Sequence, residues 1–360
     1  MTPAGRTDPI KRPILSSAGP QYKRSAMRPT FSGVLPMKRF ASRVAALSLA
    51  LSATSLSVAQ TQEADPNFKA EVERPAYRRD RGPVVAIDAA HQNFHTGAGR
   101  YEPFARLLSN DAYRIVAHSL PFTHESLSGH RVLVIANAGS RNAGPTSRAA
   151  FTEEECDAVR DWVRRGGSLL LIADHSPFGT AAQNLARRFG IRMGEGWVYE
   201  PLAAAPFMST QILYSRENGR LGDHPITRGR NARERVNSVR AFTGQSLTLP
   251  PGATALMRLP PQAREVADAA ALNAVAAGLG RNSPPSETEA VPVGDRVQGL
   301  AMRFGRGRIV VLGEAAMLSA QVVTLPQEGG TRTFTMGMSQ PGIDNRQLAL
   351  NIIHWLTRAR

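Results

Sequence analysis

The sequence predicts an α/β fold: a mostly parallel, open, flavodoxin-like sheet with helices on both faces, followed by a C-terminal hairpin and helix. Three observations carry that prediction. Short runs at 83–88, 131–136, 168–173 and 308–313 are apolar throughout rather than alternating, the pattern of strands buried on both faces. Segments with helical spacing separate the first of these runs, so the strands they join need crossovers and lie parallel. The clearest such helix, at 152–165, is bracketed by two of the runs.

Taken in order, residues 60–82 are polar and charged and read as a flexible tail. The first strand follows at 83–88, then a helix with Tyr101, Phe104, Leu107 and Leu108 on one face. Strands are expected at 113–117 and 131–136. Thr152 and Glu155 then form a capping box, in which each side chain satisfies the other's free backbone donor. Cys156, Val159 and Val163 share the apolar face, and Gly166-Gly167 ends the helix. A fourth strand at 168–173 and a helix at 181–189 follow. Periodicity weakens over 194–296, which reads as an irregular insertion or elaborated edge. It holds extended stretches at 236–242 and 253–258, an alanine-rich helix at 263–277 and a Pro/Ser/Glu loop at 282–293. A hairpin is expected from 299–304 through Gly305-Arg306-Gly307 into 308–313. Asp344 caps the last helix, which carries Leu348, Ile352, Trp355 and Leu356. Residues 83–358 therefore form one domain.

The formal net charge of the 360-residue chain is +15, which by itself suggests nucleic acid. Its location argues otherwise. Residues 1–59 hold nine Lys/Arg and one Asp, so +8 sits there; residues 60–360 keep only +7, with acids interspersed. Met37-Lys38-Arg39-Phe40, an Ala/Leu/Ser run at 44–56 and Ser57-Val58-Ala59 have the layout of a Sec-type signal peptide cleaved before Gln60. Residues 1–36 are a disordered leader or a mis-called start. The protein is thus expected in the periplasm or outside the cell, with no nucleic-acid partner and no transmembrane segment in the mature chain. There is no P-loop and no Gly-x-Gly-x-x-Gly, so no nucleotide cofactor is expected.

In an open parallel sheet, ligands bind beyond the carboxyl ends of the strands. Asp88, His91 and His95 follow the first strand, Asp174 and His175 the fourth, and Glu314 the last. Three acids and three histidines at one edge make the candidate site. Two chemistries fit: an Asp–His pair acting as an oriented general base, or a divalent metal with His91 and His95 among its ligands. Gln92 stands where a helical zinc protease motif needs glutamate, so that motif is not met. Cys156, the one thiol, lies on the apolar face of a helix and not in a strand–nucleophile–helix elbow.

The run Asp88-x-x-His91-x-Asn93-x-x-His95, with FTEEECDAVRDWVRRGGSLLLIADHSPFG at 151–179, GRIVVLGEAAMLS at 307–319 and GIDNRQLALNIIHWL at 342–356, resembles the class I glutamine amidotransferase-like superfamily. The resemblance is to an exported bacterial branch of unknown function. It implies the flavodoxin-like fold. Amidotransfer is not implied, because Asp174-His175 stands near the place of the family's nucleophilic cysteine. The expected function is recognition, and hydrolysis through carboxylate–histidine- or metal-activated water, of a small polar ligand such as a carbohydrate or cell-envelope fragment. The alternative is a non-catalytic binding or scaffold module of the cell envelope.

Overall fold

In the computed structural model, residues 61–139, 149–202, 208–279, 290–327 and 330–359 are described. They run β1 (Thr61–Ala64), β2 (Val84–Asp88), α1 (Glu102–Asn110), β3 (Arg114–His118), β4 (Val132–Ala136), α2 (Glu153–Arg165), β5 (Ser168–Ile172) and α3 (Phe178–Arg187). The middle of the chain gives β6 (Trp197–Pro201), β7 (Met208–Ser209), β8 (Leu213–Ser215), α4 (Pro225–Arg228), β9 (Ser238–Arg240), β10 (Thr254–Arg258), β11 (Arg264–Val266), α5 (Ala269–Leu279) and β12 (Val291–Pro292). It closes with β13 (Val297–Phe304), β14 (Gly307–Leu312), β15 (Ala320–Gln327), β16 (Gly330–Gly337) and α6 (Asn345–Thr357). All these residues belong to one compact unit, Ser57–Arg360. The expected leader (1–36) and signal segment (37–59) lie outside the described residues.

The central sheet has seven strands in the order β10-β13-β14-β5-β4-β2-β3. From β14 to β3 every pairing is parallel; β13 and β10 add two antiparallel strands at one edge. The apolar runs became strands because each residue finds a hydrophobic layer on its own side. Val85, Ile87, Val134, Leu170, Ile172 and Val310 face Phe104, Leu107, Leu348 and Ile352 of α1 and α6. The alternate residues Ala86, Leu133, Ile135, Leu169, Leu171 and Val311 face Cys156, Val159, Val163 and Leu185 of α2 and α3. Burying each large side chain here contributes roughly 1.5–3 kcal/mol.

Helix α2 forms as its caps dictate. Thr152 Oγ1 accepts the Glu155 N–H at 3.2 Å, and the Glu155 carboxylate accepts the Thr152 N–H at 2.9 Å. At its end Gly166 adopts φ 123°, and a Cβ on Gly167 would stand 2.3 Å from the Trp162 ring.

Several elements differ from the sequence expectation. Residues 61–82 are not a tail. β1 pairs antiparallel with β15, and Phe68 and Ala70 are buried beside α1, so the segment supplies a strand to an otherwise open edge. The alanine-rich helix starts later, at Ala269, because Arg264–Val266 pairs with β6. The 194–296 segment builds two small sheets, β12-β11-β6-β7 and β8-β9, and also gives β10 to the central sheet. Hairpin β13–β14 lies within the central sheet, whereas hairpin β15–β16 has no counterpart in the sequence reading. Asp344 precedes α6, but its carboxylate accepts the N–H groups of Asn237 and Ser238 instead of capping the helix. Among the described residues no helix is long and apolar enough to cross a membrane.

Candidate functional site

The carboxyl ends of β2, β4, β5 and β14 open onto a cavity of about 330 Å³. Its polar lining includes His95, Asn137, Asp174, His175, Glu314 and Arg100; Phe94, Phe178, Trp197, Phe242 and Phe334 supply apolar walls. Four of the six sequence candidates (His95, Asp174, His175 and Glu314) therefore share one pocket.

Glu314 is held by the turn that follows β14. Gly313 makes this possible, since a Cβ there would lie 2.4 Å from the Gln245 carbonyl oxygen. The Glu314 carboxylate accepts the N–H groups of Ala316 and Met317 at 2.7 and 2.8 Å and is 1% exposed. Burial first, and the charge of Asp174 second, raise its pKa well above the ordinary carboxylate value, outweighing the N–H groups of Met317, Ala316 and Phe242. Asp174 Oδ1 accepts the N–H of His175 at 2.8 Å.

His175 stacks on Trp197, with ring centroids 3.5 Å apart and planes at 17°. Its Nδ1 lies 2.9 Å from the Ser176 carbonyl oxygen. A carbonyl only accepts, so Nδ1 carries the proton and Nε2 keeps the lone pair in the neutral ring.

Asn137 ties the pocket together from β4. It adopts φ 56°, a left-handed conformation that asparagine tolerates. Its Oδ1 accepts the Asp174 N–H at 2.8 Å, which turns Nδ2 towards His95 Nδ1 at 3.2 Å. The amide orientation thus follows from its partners, and His95 Nδ1 is an acceptor. The Phe94 N–H also donates to the Asn137 carbonyl oxygen at 2.9 Å. Arg100, which also lines the pocket, stacks on Phe94 at 4.2 Å.

Asp88 and His91 go elsewhere. Asp88 is fully buried, and His91 turns towards α2. His91 Nδ1 donates to both Asp88 oxygens at 2.9 and 3.0 Å, and Nε2 donates to Glu155 Oε1 at 2.9 Å. With carboxylate oxygens facing both ring nitrogens, the geometry favours the doubly protonated ring. Burial opposes that charge, but Asp88 and Glu155 together raise the His91 pKa above its ordinary value. Phe122 and Phe151 pack on the ring at 4.4 and 4.9 Å. Neither Asp88 nor His91 lines the pocket, so the six candidates form a pocket of four and a separate ionic cluster of two with Glu155. The expected joint metal role of His91 and His95 is not supported. Both nitrogens of His91 are taken up by carboxylates, and among the described residues no group of three His, Cys, Asp or Glu is placed to hold a metal.

Sequence reasoning missed Asn137, Trp197 and the aromatic walls. Asn137 follows a buried strand, as Asp174 and Glu314 do, and the strand-end rule applied to β4 would have found it. Phe94 follows β2 and Phe178 begins α3, beside the strand-end candidates, whereas Trp197 and Phe242 come from the irregular middle segment and Phe334 from β16, where no periodic signal marks them. His224 lies outside the pocket and caps α4 by accepting the Ile226 N–H at 3.2 Å. Cys156 is buried, and burial raises its thiol pKa to about 12.

No protein-family model and no curated protein matches the chain. Solved structures do. The chain is similar to the N-terminal domain of mmIFT52, with 16% identity over 76% of this chain and 97% of that one, at a TM-score of 0.49. A ThuA-like protein of Bacteroides uniformis matches with 12% identity over 81% and 95% of the two chains, at a TM-score of 0.37. A Thermoplasma acidophilum protein described as part of a GMP synthase matches with 12% identity over 77% and 96%, at a TM-score of 0.37. Similarity at this level leaves function to the pocket itself.

Proposed function

We propose that the pocket binds a small polar ligand of the carbohydrate class and hydrolyses it, in a protein exported across the inner membrane. One observation carries the reading: a carboxyl group biased to its neutral form, Glu314, shares a pocket with a second carboxylate, Asp174, and with an imidazole lone pair, His175 Nε2. In this reading Glu314 donates a proton to the departing oxygen. His175 takes a proton from the attacking water, and Asp174 offsets positive charge developing on the sugar ring. The aromatic walls suit the apolar faces of a sugar, and the polar side suits its hydroxyls. Export is supported by the layout of residues 37–59.

The test is turnover of a panel of nitrophenyl glycosides and envelope oligosaccharides by the secreted protein, whose first residue should be Gln60. Glu314→Gln should lower turnover by about 10²-fold or more while Trp197 fluorescence still reports binding. Unchanged turnover in Glu314→Gln refutes the acid role; absence of saturable binding by any sugar refutes the ligand class. A non-catalytic binding module is favoured by one observation, that both Glu314 oxygens already accept backbone N–H groups. Saturable binding without turnover in the unmodified protein would select that reading.

A further inference from the structure

At the opposite edge of the sheet, where β4, β5 and β14 begin, the chain gathers arginines. Arg131 precedes β4, Arg165 ends α2, Arg306 sits in the β13–β14 turn, Arg308 lies in β14 and Arg358 follows α6. His130, Arg131, Arg165, Arg306 and Arg358 line one concavity of about 380 Å³ with the backbone of Gly166 and Gly167. Arg358 also borders a second, of about 210 Å³, with Arg308, Arg230 and Trp355. Among the described residues no carboxylate lines either cavity.

Arg160, Arg188 and Arg220, away from this edge, each meet a carboxylate within 2.8 Å. Among the described residues Arg131, Arg165, Arg303, Arg306, Arg308 and Arg358 meet none. Capping of helix ends is the competing account. Arg131 donates to the Gly166 carbonyl, Arg308 to that of Trp355 and Arg358 to that of Arg306. Each such bond uses one of five guanidinium donors. The carboxyl ends of α2 and α6 offer roughly half a negative charge apiece, against five arginine charges. Most of the positive charge is left over. Its repulsion is visible: burial first, then Arg303, Arg358 and Arg131, lower the Arg308 pKa to about 10, and burial with Arg358 lowers that of Arg131. Arg308 Nε is buried without a partner.

We propose that this edge is a binding site for a phosphate group, remote from the pocket and independent of its chemistry. Planar guanidinium forks converging on one concavity match the several oxygens of phosphate, which accepts bidentate pairs and carries up to two charges. The group can belong to a soluble phosphate or to the headgroup of an anionic phospholipid, and the experiment separates them.

The full chain is titrated with inorganic phosphate by calorimetry at low salt. It is also sedimented with vesicles of phosphatidylglycerol and phosphatidylcholine in equal parts, against phosphatidylcholine alone. Arg306→Gln is the first variant, because the Arg306 side chain makes no hydrogen bond among the described residues and its loss spares the fold; an unchanged melting curve checks this. Arg131→Gln is the second and Arg192→Gln, in the α3–β6 loop, the control. Binding of either probe that weakens by about tenfold or more in Arg306→Gln and Arg131→Gln, but not in Arg192→Gln, supports the site. Phosphate binding alone assigns the soluble source and vesicle binding alone the lipid. No binding of either probe, or binding equal in all three variants, overturns the proposal.

Discussion

Replacing His91 by glutamine tests the buried cluster, and its effect can be worked out from the contacts. Removing one partner of a buried ion pair costs about 3–5 kcal/mol when the other charge is stranded. Here neither carboxylate is stranded. Asp88 keeps the Asn93 Nδ2 at 2.6 Å and the Ala90 N–H at 3.1 Å, and Glu155 keeps the N–H groups of Thr152 and Phe122 at 2.9 and 3.1 Å. The cost therefore falls below that range, at about 2 kcal/mol. The pH dependence has a definite sign. His91 has a folded pKa raised above 6.5, so its contribution is complete below pH 6.5 and is lost as pH rises through the folded value. Glu155 has a pKa lowered from 4.5, although burial acts to raise it, because the Thr152 N–H, His91 and the Phe122 N–H prevail. Its contribution is complete above pH 4.5 and lost as pH falls through the folded value. The cluster therefore stabilises most between pH 4.5 and 6.5. Urea unfolding followed by tryptophan fluorescence gives the difference between the two proteins at each pH. It should be greatest in that window and shrink towards alkaline pH. A difference below about 1 kcal/mol, or one constant to within about 0.5 kcal/mol across the range, refutes the ionic reading.

Two further outcomes are expected. Asn137→Ala removes the partners of His95 Nδ1 and of the Asp174 N–H together; it should cost about 2–3 kcal/mol in urea unfolding and weaken any ligand the pocket binds, and a loss under about 0.5 kcal/mol would show the amide idle. Cys156, buried and with its thiol raised to about 12, should resist iodoacetamide at pH 8 until the protein unfolds; labelling of the native protein within minutes would contradict its placement on the inner face of α2.

The parallel core was legible because β4 and β5 are buried along their whole length, and unbroken apolar runs report that state directly. The capping box at Thr152 was legible for a similar reason, being local. Its glutamate shows the limit. Glu155 closes the box and also takes His91, and that second duty depends on a residue 64 positions away. Asp88 and Asp174 look alike in sequence, each an acid ending a buried strand, yet one turns into a closed ionic cluster and the other lines the cavity. Which way each side chain turns is decided by the loops beyond it, by Gln92 at φ 49° and by Asn137, and no periodicity encodes that. The β15–β16 hairpin was missed because β16 is threonine-rich and exposed over its first half, so no apolar run marks it as a strand.

The β1 strand has a consequence for the order of assembly. Thr61 pairs with Thr324, and Gln62 of the same strand reaches the pocket wall beside Gln321 and Phe334. In a chain threaded amino end first, β1 emerges before almost everything else and its partner almost last. Until β15 arrives, β1 has no strand to pair with, and the pocket lacks a side. The cavity is therefore walled on this side only once β15 has joined β1, so its closure is a property of the finished chain.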